Sequence, residues 1–286
     1  MFWKTWTLLS DLWQDLRFGL RLIAKSPRLT TAIVLTLGLG IGANALVFSV
    51  VRAVVLRPLA YEQPERLIQF WSSGTRSGGQ GDWVSFPDFR DWSRENRVFE
   101  EAAVYRYSLA TISGDKEPQS VLGLQVTDRL FEILGVKPVF GRTFLSGEDS
   151  PGRETVAVIS HALWQRRYGG DPATVGRQVD IDGKPYSIIG VMPPSFYFPD
   201  GVPEGTTVIP VDVWIPMRNA PDLEQRGSHN FWAIARLKTN VTLEQARADM
   251  DSIAANLARQ YPVTNKDMGV TVAHLQDHRT GSVRPA

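Results

Sequence analysis

A run of residues without any charged side chain constrains this chain more than any other feature. It extends from Leu29 to Val51, with the sequence LTTAIVLTLGLGIGANALVFSVV. As an α-helix these residues would be about 34 Å long, enough to cross a hydrocarbon core about 30 Å thick. Ser26 and Pro27, just before the run, suit the N-cap and the first position of a helix. The sequence therefore predicts a transmembrane helix, which we assign to residues 29–56.

Two other interpretations of this run fit the sequence less well. A core helix of a globular protein rarely extends this far without a charged residue. A cleavable signal peptide would have a shorter apolar region nearer the N-terminus, followed by a small-x-small cleavage site. Arg52 and Arg57 follow the run instead. The sequence therefore favours an uncleaved membrane helix.

The basic residues that flank the predicted helix indicate its orientation. Those before it are Lys4, Arg17, Arg21, Lys25 and Arg28, and those close behind it are Arg52, Arg57 and Arg66. Lysine and arginine are in excess on the cytoplasmic side of membrane helices. The sequence therefore predicts a single-pass chain with a cytoplasmic N-terminus and a C-terminal domain outside the cytoplasm.

The segment before the predicted span, residues 1–28, contains an amphipathic stretch. Its apolar residues recur on one face at helical spacing: Leu9, Leu12, Trp13, Leu16, Leu20 and Ile23. A short helix of this kind beside a membrane span lies in the membrane interface or packs on a partner subunit, and the sequence leaves both open. Trp3, Trp6 and Trp13 fit an aromatic belt at that interface.

Small residues form a strip along the predicted membrane helix. Gly38, Gly42 and Ala45 recur at spacings of four and three residues, which lets a second helix approach closely. Residues 38–43 also match a G-x-G-x-x-A dinucleotide pattern, but that pattern needs a strand before it and a helix that begins at the glycines. We therefore assign Gly38, Gly42 and Ala45 as helix-packing residues. The alternative is that small side chains are merely tolerated in lipid.

Residues 57–286 follow as a domain of globular composition. The whole chain has 286 residues, a formal net charge of +1 and a mean hydropathy of −0.15. This balance excludes a polytopic membrane protein and provides no basic field for nucleic acid. The absence of cysteine from the sequence excludes disulfides, thiolate metal sites and cysteine nucleophiles. We therefore expect one α+β domain after the membrane helix.

Apolar periodicity and turn residues predict alternating strands and helices in this domain. The predicted strands are residues 66–71, 99–112, 119–126, 155–160, 178–181, 185–191, 213–216, 230–237 and 270–275. The predicted helices are residues 86–96, 128–134, 161–168 and 243–259, and residues 72–81 are a predicted Gly/Ser-rich loop. Thr242 and Gln245 form a capping-box pattern at the start of the last helix. The final strand–helix–strand unit suggests a ferredoxin-like element.

A search for catalytic, metal-binding and cofactor-binding residues finds no supported site in the sequence. His274 and His278 are four residues apart, but His274 ends a strand-like run, and the glutamate of the zinc-protease signature is absent. Asp180 and Asp182 lack the further ligands of a calcium loop. No Walker A lysine and no Gly-x-Ser-x-Gly elbow occur. We therefore expect no catalytic residue, no metal and no cofactor.

Several motifs, in order along the chain, carry a family resemblance. Around the predicted helix they are DLRFGL at 15–20, LTLGLGIGANALVFS at 35–49 and LRPLAY at 56–61. In the domain they are FPDFRDW at 86–92, FEILGVKPVFGRTF at 131–144, VAVISHALWQRRYGGDPATVGRQ at 156–178, GVMPPSFYFP at 190–199 and RLKTNVTLEQARADM at 236–250. Together they resemble MacB-like and FtsX-like ABC transporter permeases, in particular the large duplicated permeases described first from acidobacteria. The resemblance covers roughly residues 11–286.

The resemblance implies a non-catalytic permease subunit of an ABC-type export or mechanotransmission complex in the bacterial cell membrane. In this family an extracytoplasmic domain lies between the first membrane helix and a C-terminal bundle of three helices. That domain consists of porter-like α/β elements with a β-rich insertion, and a separate ATPase drives the movement. The resemblance assigns no catalytic residue to the domain.

The C-terminal end of the given chain bears on its expected partners. Residues 279–286 stand where the second membrane helix of the family would begin. We therefore expect the chain to be a fragment, or to act with a separately encoded ABC ATPase and permease helices. The strip of Gly38, Gly42 and Ala45 would then pair with those helices or with a second copy of the chain.

A second class of function also fits the sequence. The chain would then be a membrane-anchored extracytoplasmic binding or structural domain that acts without an ATPase. A neighbouring reading frame that encodes a P-loop ATPase or the further permease helices favours the first class over the second.

The predicted orientation can be tested with reporter fusions. A reporter that is active only outside the cytoplasm, fused after Ala286, should be active, because the basic residues before the span keep the N-terminus inside. The matched control is a reporter that is active only in the cytoplasm, fused at the same residue, and it should be silent. The reverse pair of results would overturn the orientation.

Overall fold

The computed structural model describes residues 28, 31–32, 35–42, 61–74, 83–114, 116–153, 155–198, 210–218 and 222–280, with side chains as far as Asp277. Clustering of the backbone divides the chain into two compact units, Met1–Pro58 and Leu59–Ala286. The two units are described separately below.

The described residues of the first unit are helical. Thr36 donates its hydroxyl to the carbonyl oxygen of Ala32 at 2.8 Å, a bond between successive turns of one helix. In the ranges described, no helix is both long enough and apolar enough to cross a membrane. Residues 1–27 and most of the predicted span 29–56 lie outside the described residues, so the interfacial helix and the span stay predictions.

The second unit contains the strands and helices of an α+β domain. The strands are β1 (Leu67–Gly74), β2 (Val84–Ser85), β3 (Phe99–Ser113), β4 (Gln119–Val126), β5 (Phe140–Gly141), β6 (Val156–Ile159), β7 (Gln178–Ile181), β8 (Lys184–Val191), β9 (Val213–Pro216), β10 (His229–Leu237) and β11 (Met268–His274). The helices are α1 (Phe86–Glu95), α2 (Leu130–Leu134), α3 (His161–Tyr168), α4 (Leu243–Gln260), α5 (Pro262–Asn265) and α6 (Leu275–Thr280). The described strands form one sheet with the order β11-β1-β10-β3-β4-β9-β6-β8-β5.

Four strands of the sheet and two helices form a ferredoxin-like half. β10 pairs antiparallel with both β1 and β3, and β1 pairs antiparallel with β11. In chain order the elements are β1, α1, β3, β10, α4 and β11, and in space the strands stand in the order fourth, first, third, second. This is the split β-α-β arrangement of ferredoxin-like folds. The predicted ferredoxin-like element is thus confirmed, and the structure adds its first three elements.

Both long helices of this half cover one face of the sheet. Phe89 and Trp92 of α1 and Met250 and Leu257 of α4 share a buried cluster with Phe70 of β1. The amphipathic period of α4 explains its position, since residues three, four and seven apart meet the same surface. Burial of this apolar area is the main favourable contribution to the stability of the half.

The second half is inserted between β3 and β10. Its strands β4 to β9 extend the same sheet, with β4 antiparallel to β3 and β9 parallel to β4. Helix α2 lies on the sheet face opposite α1 and α4, where Phe131 and Leu134 pack with Leu67 and Ile234. Helix α3 covers the far end of the sheet, where Leu163 contributes to a third buried cluster. The structure therefore has the porter-like α/β elements and the β-rich insertion expected from the resemblance.

Most predicted elements are confirmed to within two or three residues. Residues 119–126, 161–168, 178–181 and 213–216 begin and end where predicted. The helix predicted at 128–134 begins only at Leu130. The loop predicted over 72–81 is wrong at its start, because residues 72–74 continue β1 by pairing with residues 268–270 of β11.

Polar side chains fix the starts of three helices. Ser85 and Ser160 accept hydrogen bonds from the backbone N–H groups of Asp88 and Leu163, at 3.2 and 3.0 Å. At α4 the predicted capping box is confirmed, since Thr242 and Gln245 each accept a bond from the backbone of the other. Such caps satisfy N–H groups that have no partner inside the helix.

Two glycines permit the close approach of the segment around β5 to β8. A Cβ built on Gly190 would lie 2.2 Å from the carbonyl oxygen of Arg142, so a side chain there would force the backbone apart. Gly141, opposite Gly190 in the pairing, has a φ of +74°, a conformation that glycine adopts without strain. The motifs GRTF and GVMPP therefore contain glycine for a geometric reason.

Substitution Gly190→Ala should destabilise the domain. We expect a loss of about 1–3 kcal/mol in the free energy of unfolding, because the added methyl group overpacks the β5–β8 contact. Gly227→Ala is the matched control, since a Cβ there meets no atom within 4 Å in the described structure. Denaturant unfolding of the full chain measures both, and equal stabilities would contradict the steric argument.

Candidate functional site

The predicted helix-packing strip is described at two of its three residues. Gly38 and Gly42 lie in the helix of the first unit, and Ala45 lies outside the described residues. In the described structure, a Cβ built on either glycine meets no atom within 4 Å. Both positions therefore have space beside them, and the partner of the strip stays a prediction.

The histidines singled out by the sequence do not form a site in the described part of the domain. His161 is the first residue of α3, and its ring contacts Trp164 edge to face at 5.2 Å between centroids. His274 ends β11, as predicted, and the side chain of His278 lies outside the described side chains. No group of three or more histidine, aspartate or glutamate residues in the described ranges could hold a metal ion.

An exposed, mainly aromatic strip lies across β10 and β3 on one face of the sheet and includes the residue just before β2. We define it as Trp83, just before β2, with Trp232 of β10 and Tyr107 and Leu109 of β3. The ring of Trp232 contacts Trp83 at 5.9 Å and Tyr107 at 5.3 Å, both edge to face. Trp83, Tyr107 and Leu109 are 45%, 37% and 80% exposed. Apolar surface of this kind, clustered rather than scattered, is typical of a contact surface.

The aromatic strip carries no charge over the ordinary pH range. Burial of its phenol raises the pKa of Tyr107 to about 12. Tyr105, directly opposite Trp232 in the pairing, stacks on that indole with 5.9 Å between ring centroids. The strip therefore offers rigid rings with few free torsions, whose ordering on contact costs little entropy.

Asp88 and Asp91 of the FPDFRDW motif take part in a buried network of ion pairs and hydrogen bonds. Asp88 Oδ1 accepts hydrogen bonds from Arg226 at 2.5 Å and from the Asn265 amide at 2.8 Å. Asp88 Oδ2 accepts a bond from the Ser85 hydroxyl at 2.9 Å, and Arg226 also reaches Asp91 at 2.6 Å. Both carboxylates are almost completely buried, so their pairing is what makes the burial tolerable.

Arg226 is the centre of this network. Its guanidinium lies over the ring of Tyr261, 3.8 Å from the centroid, in cation–π geometry. Burial by itself lowers the pKa of the group, but the hydrogen bonds that it donates to Asp91 and Asp88 outweigh this effect, and the net pKa is raised. Arg226 thus fastens the loop before β10 to α1 and to the turn after α4.

A second network holds the same loop to β3. Asp222 Oδ2 accepts bonds from Arg106 at 2.7 Å and from the Asn230 amide at 2.5 Å. Arg106 also donates to Gln125 of β4 at 2.7 and 2.9 Å. Burial raises the pKa of Asp222, but the bonds from Asn230 and Arg106 outweigh it and the net pKa is below the ordinary value.

The sequence patterns did not predict the ion pairs of either network. The carboxylates of FPDFRDW were visible as part of a motif, but their partner Arg226 lies more than 130 residues away. One signal was present: Asp88 and Asp91 are three residues apart on a helix, so both face one side, and burial of that side requires a cation.

Comparison with known families gives one strong match. The model of the MacB-like periplasmic core domain matches residues 30–253, which is most of the chain. A search of curated proteins finds no significant match. The family match begins inside the uncharged segment and includes the charged residues of both networks, whereas Tyr261 and Asn265 lie beyond it.

Comparison with solved structures finds the same architecture at low sequence identity. The periplasmic region of MacB from Actinobacillus actinomycetemcomitans aligns with a TM-score of 0.55 at 10% identity, over 77% of this chain and 94% of that one. A domain of a permease protein from Porphyromonas gingivalis aligns with a TM-score of 0.54 at 16% identity, over 75% and 91%. The extracellular domain of the noncanonic ABC-type transporter YknZ from Gram-positive bacteria aligns with a TM-score of 0.50 at 14% identity, over 72% and 99%. These likenesses show the fold.

Removal of Arg226 should cost far more stability than removal of an exposed arginine. Arg226→Met leaves the buried Asp88 without a cation and Asp91 with only the mostly exposed Arg94, and we expect a loss of about 3–5 kcal/mol in unfolding free energy. The matched control is Arg90→Met, whose pair with Glu224 is exposed on both sides and contributes about 0–1 kcal/mol. Denaturant unfolding of the two variants measures the difference, and similar losses would refute the role of the network.

Proposed function

The chain belongs to the family of MacB-like periplasmic core domains, and we propose that it is a non-catalytic permease subunit, or the N-terminal part of one, of an ABC-type export or mechanotransmission complex. The observation that carries the proposal is the family match over residues 30–253. The family places such a domain outside the cytoplasm in a membrane transporter.

The proposed role is to couple the membrane helix to whatever the extracytoplasmic domain contacts. In this proposal residues 29–56 cross the membrane once, with the N-terminus in the cytoplasm, and residues 57–286 lie outside. The backbone pairing of β3 with β10 on one side and with β4 on the other supports the coupling role, because it links the two halves of the sheet directly. Nucleic acid has no part in the proposal, since the net charge is only +1.

Energy for movement would come from partners. We propose that a separately encoded ABC ATPase and permease helices assemble with the chain, and that the strip of Gly38, Gly42 and Ala45 is the point of helix contact. Packing matters there because the hydrophobic effect does not drive one helix onto another in lipid.

The partnership can be tested by co-expression. The full chain, tagged and expressed with the ABC ATPase and permease encoded beside it, should co-purify with both in a mild detergent. The matched control is an ABC ATPase and permease pair from an unrelated locus, which should not be retained. Recovery of the chain without either neighbour would favour a membrane-anchored domain that acts without an ATPase.

The contact through the glycine strip has its own test. Gly42→Leu should weaken association with co-expressed permease helices or with a second copy, measured in membranes by energy transfer between labelled chains. The bulky side chain keeps the helix apolar but blocks close approach. Gly40→Leu is the matched control, since two residues turn a helix by about 200° and place it on the other side. Equal effects of the two substitutions would refute the strip.

A further inference from the structure

Arg167, in the last turn of α3, is a buried arginine with an incomplete set of hydrogen bonds. The residue is only 4% exposed. Its Nη1 donates to the carbonyl oxygen of Glu117, in the turn between β3 and β4, at 3.0 Å. Its Nε and Nη2 are also buried, and in the described structure neither has a hydrogen-bond partner. Nearly all buried donors in native proteins have a partner, so these two require an explanation.

The two unpartnered donors lie on one side of the guanidinium of Arg167. That group is planar, and its N–H bonds have fixed directions. Nε–H and one N–H of Nη2 therefore point the same way, side by side, as a fork for two oxygen atoms. Carboxylates and phosphates offer two oxygens at the spacing that such a fork binds. The free side of Arg167 is therefore complementary to an oxyanion.

The charge of Arg167 also calls for an anion. A guanidinium is permanently charged, so water on the fork would satisfy its donors without compensating its charge. The neighbouring Arg166 has a counterion, Asp212, at 2.8 Å. Arg167 has no carboxylate within 4.0 Å in the described part of the chain. A buried charge that lacks a counterion is strongly destabilising, and a bound anion removes that cost.

A second cation lies at the same contact. Lys116, in the turn between β3 and β4, donates its ammonium group to the backbone carbonyl of Arg167. Lys116 likewise has no carboxylate within 4.0 Å among the described residues, and the side chain of Glu117 forms no ion pair there. Two cations without a counterion therefore meet where α3 touches this turn, and both attract a negative charge.

We propose that Arg167 and Lys116 form a binding site for a small oxyanion, either phosphate or a carboxylate. Two oxygens of the ion accept hydrogen bonds from Nε and Nη2 of Arg167, and the ammonium group of Lys116 adds its charge. The ion supplies the negative charge that the buried guanidinium lacks. Because Arg167 belongs to α3 and Lys116 to the β3–β4 turn, the bound ion also holds these two elements together.

Thermal unfolding of the full chain in phosphate, acetate and chloride at equal ionic strength tests the proposal. The melting temperature of wild type should be about 2–4 °C higher in phosphate than in chloride, because a ligand that binds only the folded state stabilises it. A rise in acetate as well shows that the site also accepts carboxylates, and a rise in phosphate alone assigns it to phosphate. Equal melting temperatures in the three buffers would overturn the proposal.

Two variants separate binding at this site from the general stabilisation that phosphate gives to folded proteins. Arg167→Lys keeps the charge but removes the fork, so most of the rise in phosphate or acetate should be lost. Arg177→Met is the matched control, since it removes an exposed cation that pairs with Asp171, and it should keep the rise of wild type. An equal rise in Arg167→Lys and wild type would overturn the proposal.

A second measurement keeps the proposal testable if Arg167→Lys does not fold. In equilibrium dialysis the wild-type chain should retain labelled phosphate in a saturable way. Lys116→Met, which changes an exposed side chain, should weaken that retention several-fold because it removes one of the two charges. No saturable retention by wild type, or equal retention by Lys116→Met, would overturn the proposal.

Discussion

The shared strand β3 is the constraint on which the rest of the structure depends. Its residues 99–105 pair with β10, residues 105–112 pair with β4, and its last two residues pair with β7. A hinge between the two halves would have to break these backbone bonds, and each one left unpaired in the interior costs about 1–3 kcal/mol. The geometry therefore favours movement of the described residues of the second unit as one body rather than as two.

Two arginines also connect the two halves of the domain. Arg226 lies in the loop that leads from the inserted half to β10, and it binds Asp91 of α1. Arg236 of β10 donates to the carbonyl oxygen of Ile133 at the end of α2. Both fasten elements far apart in sequence, and both lie in or against family motifs. Residues in or beside the motifs that carry the resemblance thus make contacts that hold the domain together.

Local sequence patterns predicted most of the strands and helices. Contacts between residues far apart in the sequence could not be predicted in this way. Residues 161–168 were predicted correctly, and in the structure Ser160 caps the start of this helix and Gly169 its end. Residues 72–74 were predicted as loop because serine and glycine favour turns, yet pairing with β11 makes them strand. For the same reason the pairing of Arg226 with Asp88 and Asp91 was not predicted, since no spacing rule relates a loop to a helix more than 130 residues earlier.

The position of the aromatic strip follows from the shared strand. Trp83 and Trp232 belong to the ferredoxin-like half, whereas Tyr107 and Leu109 lie where β3 pairs with β4 of the inserted half. A partner seated on the strip would therefore contact both halves at once. Because β3 joins those halves without a hinge, force applied at the strip would be shared by the whole domain rather than absorbed between its parts.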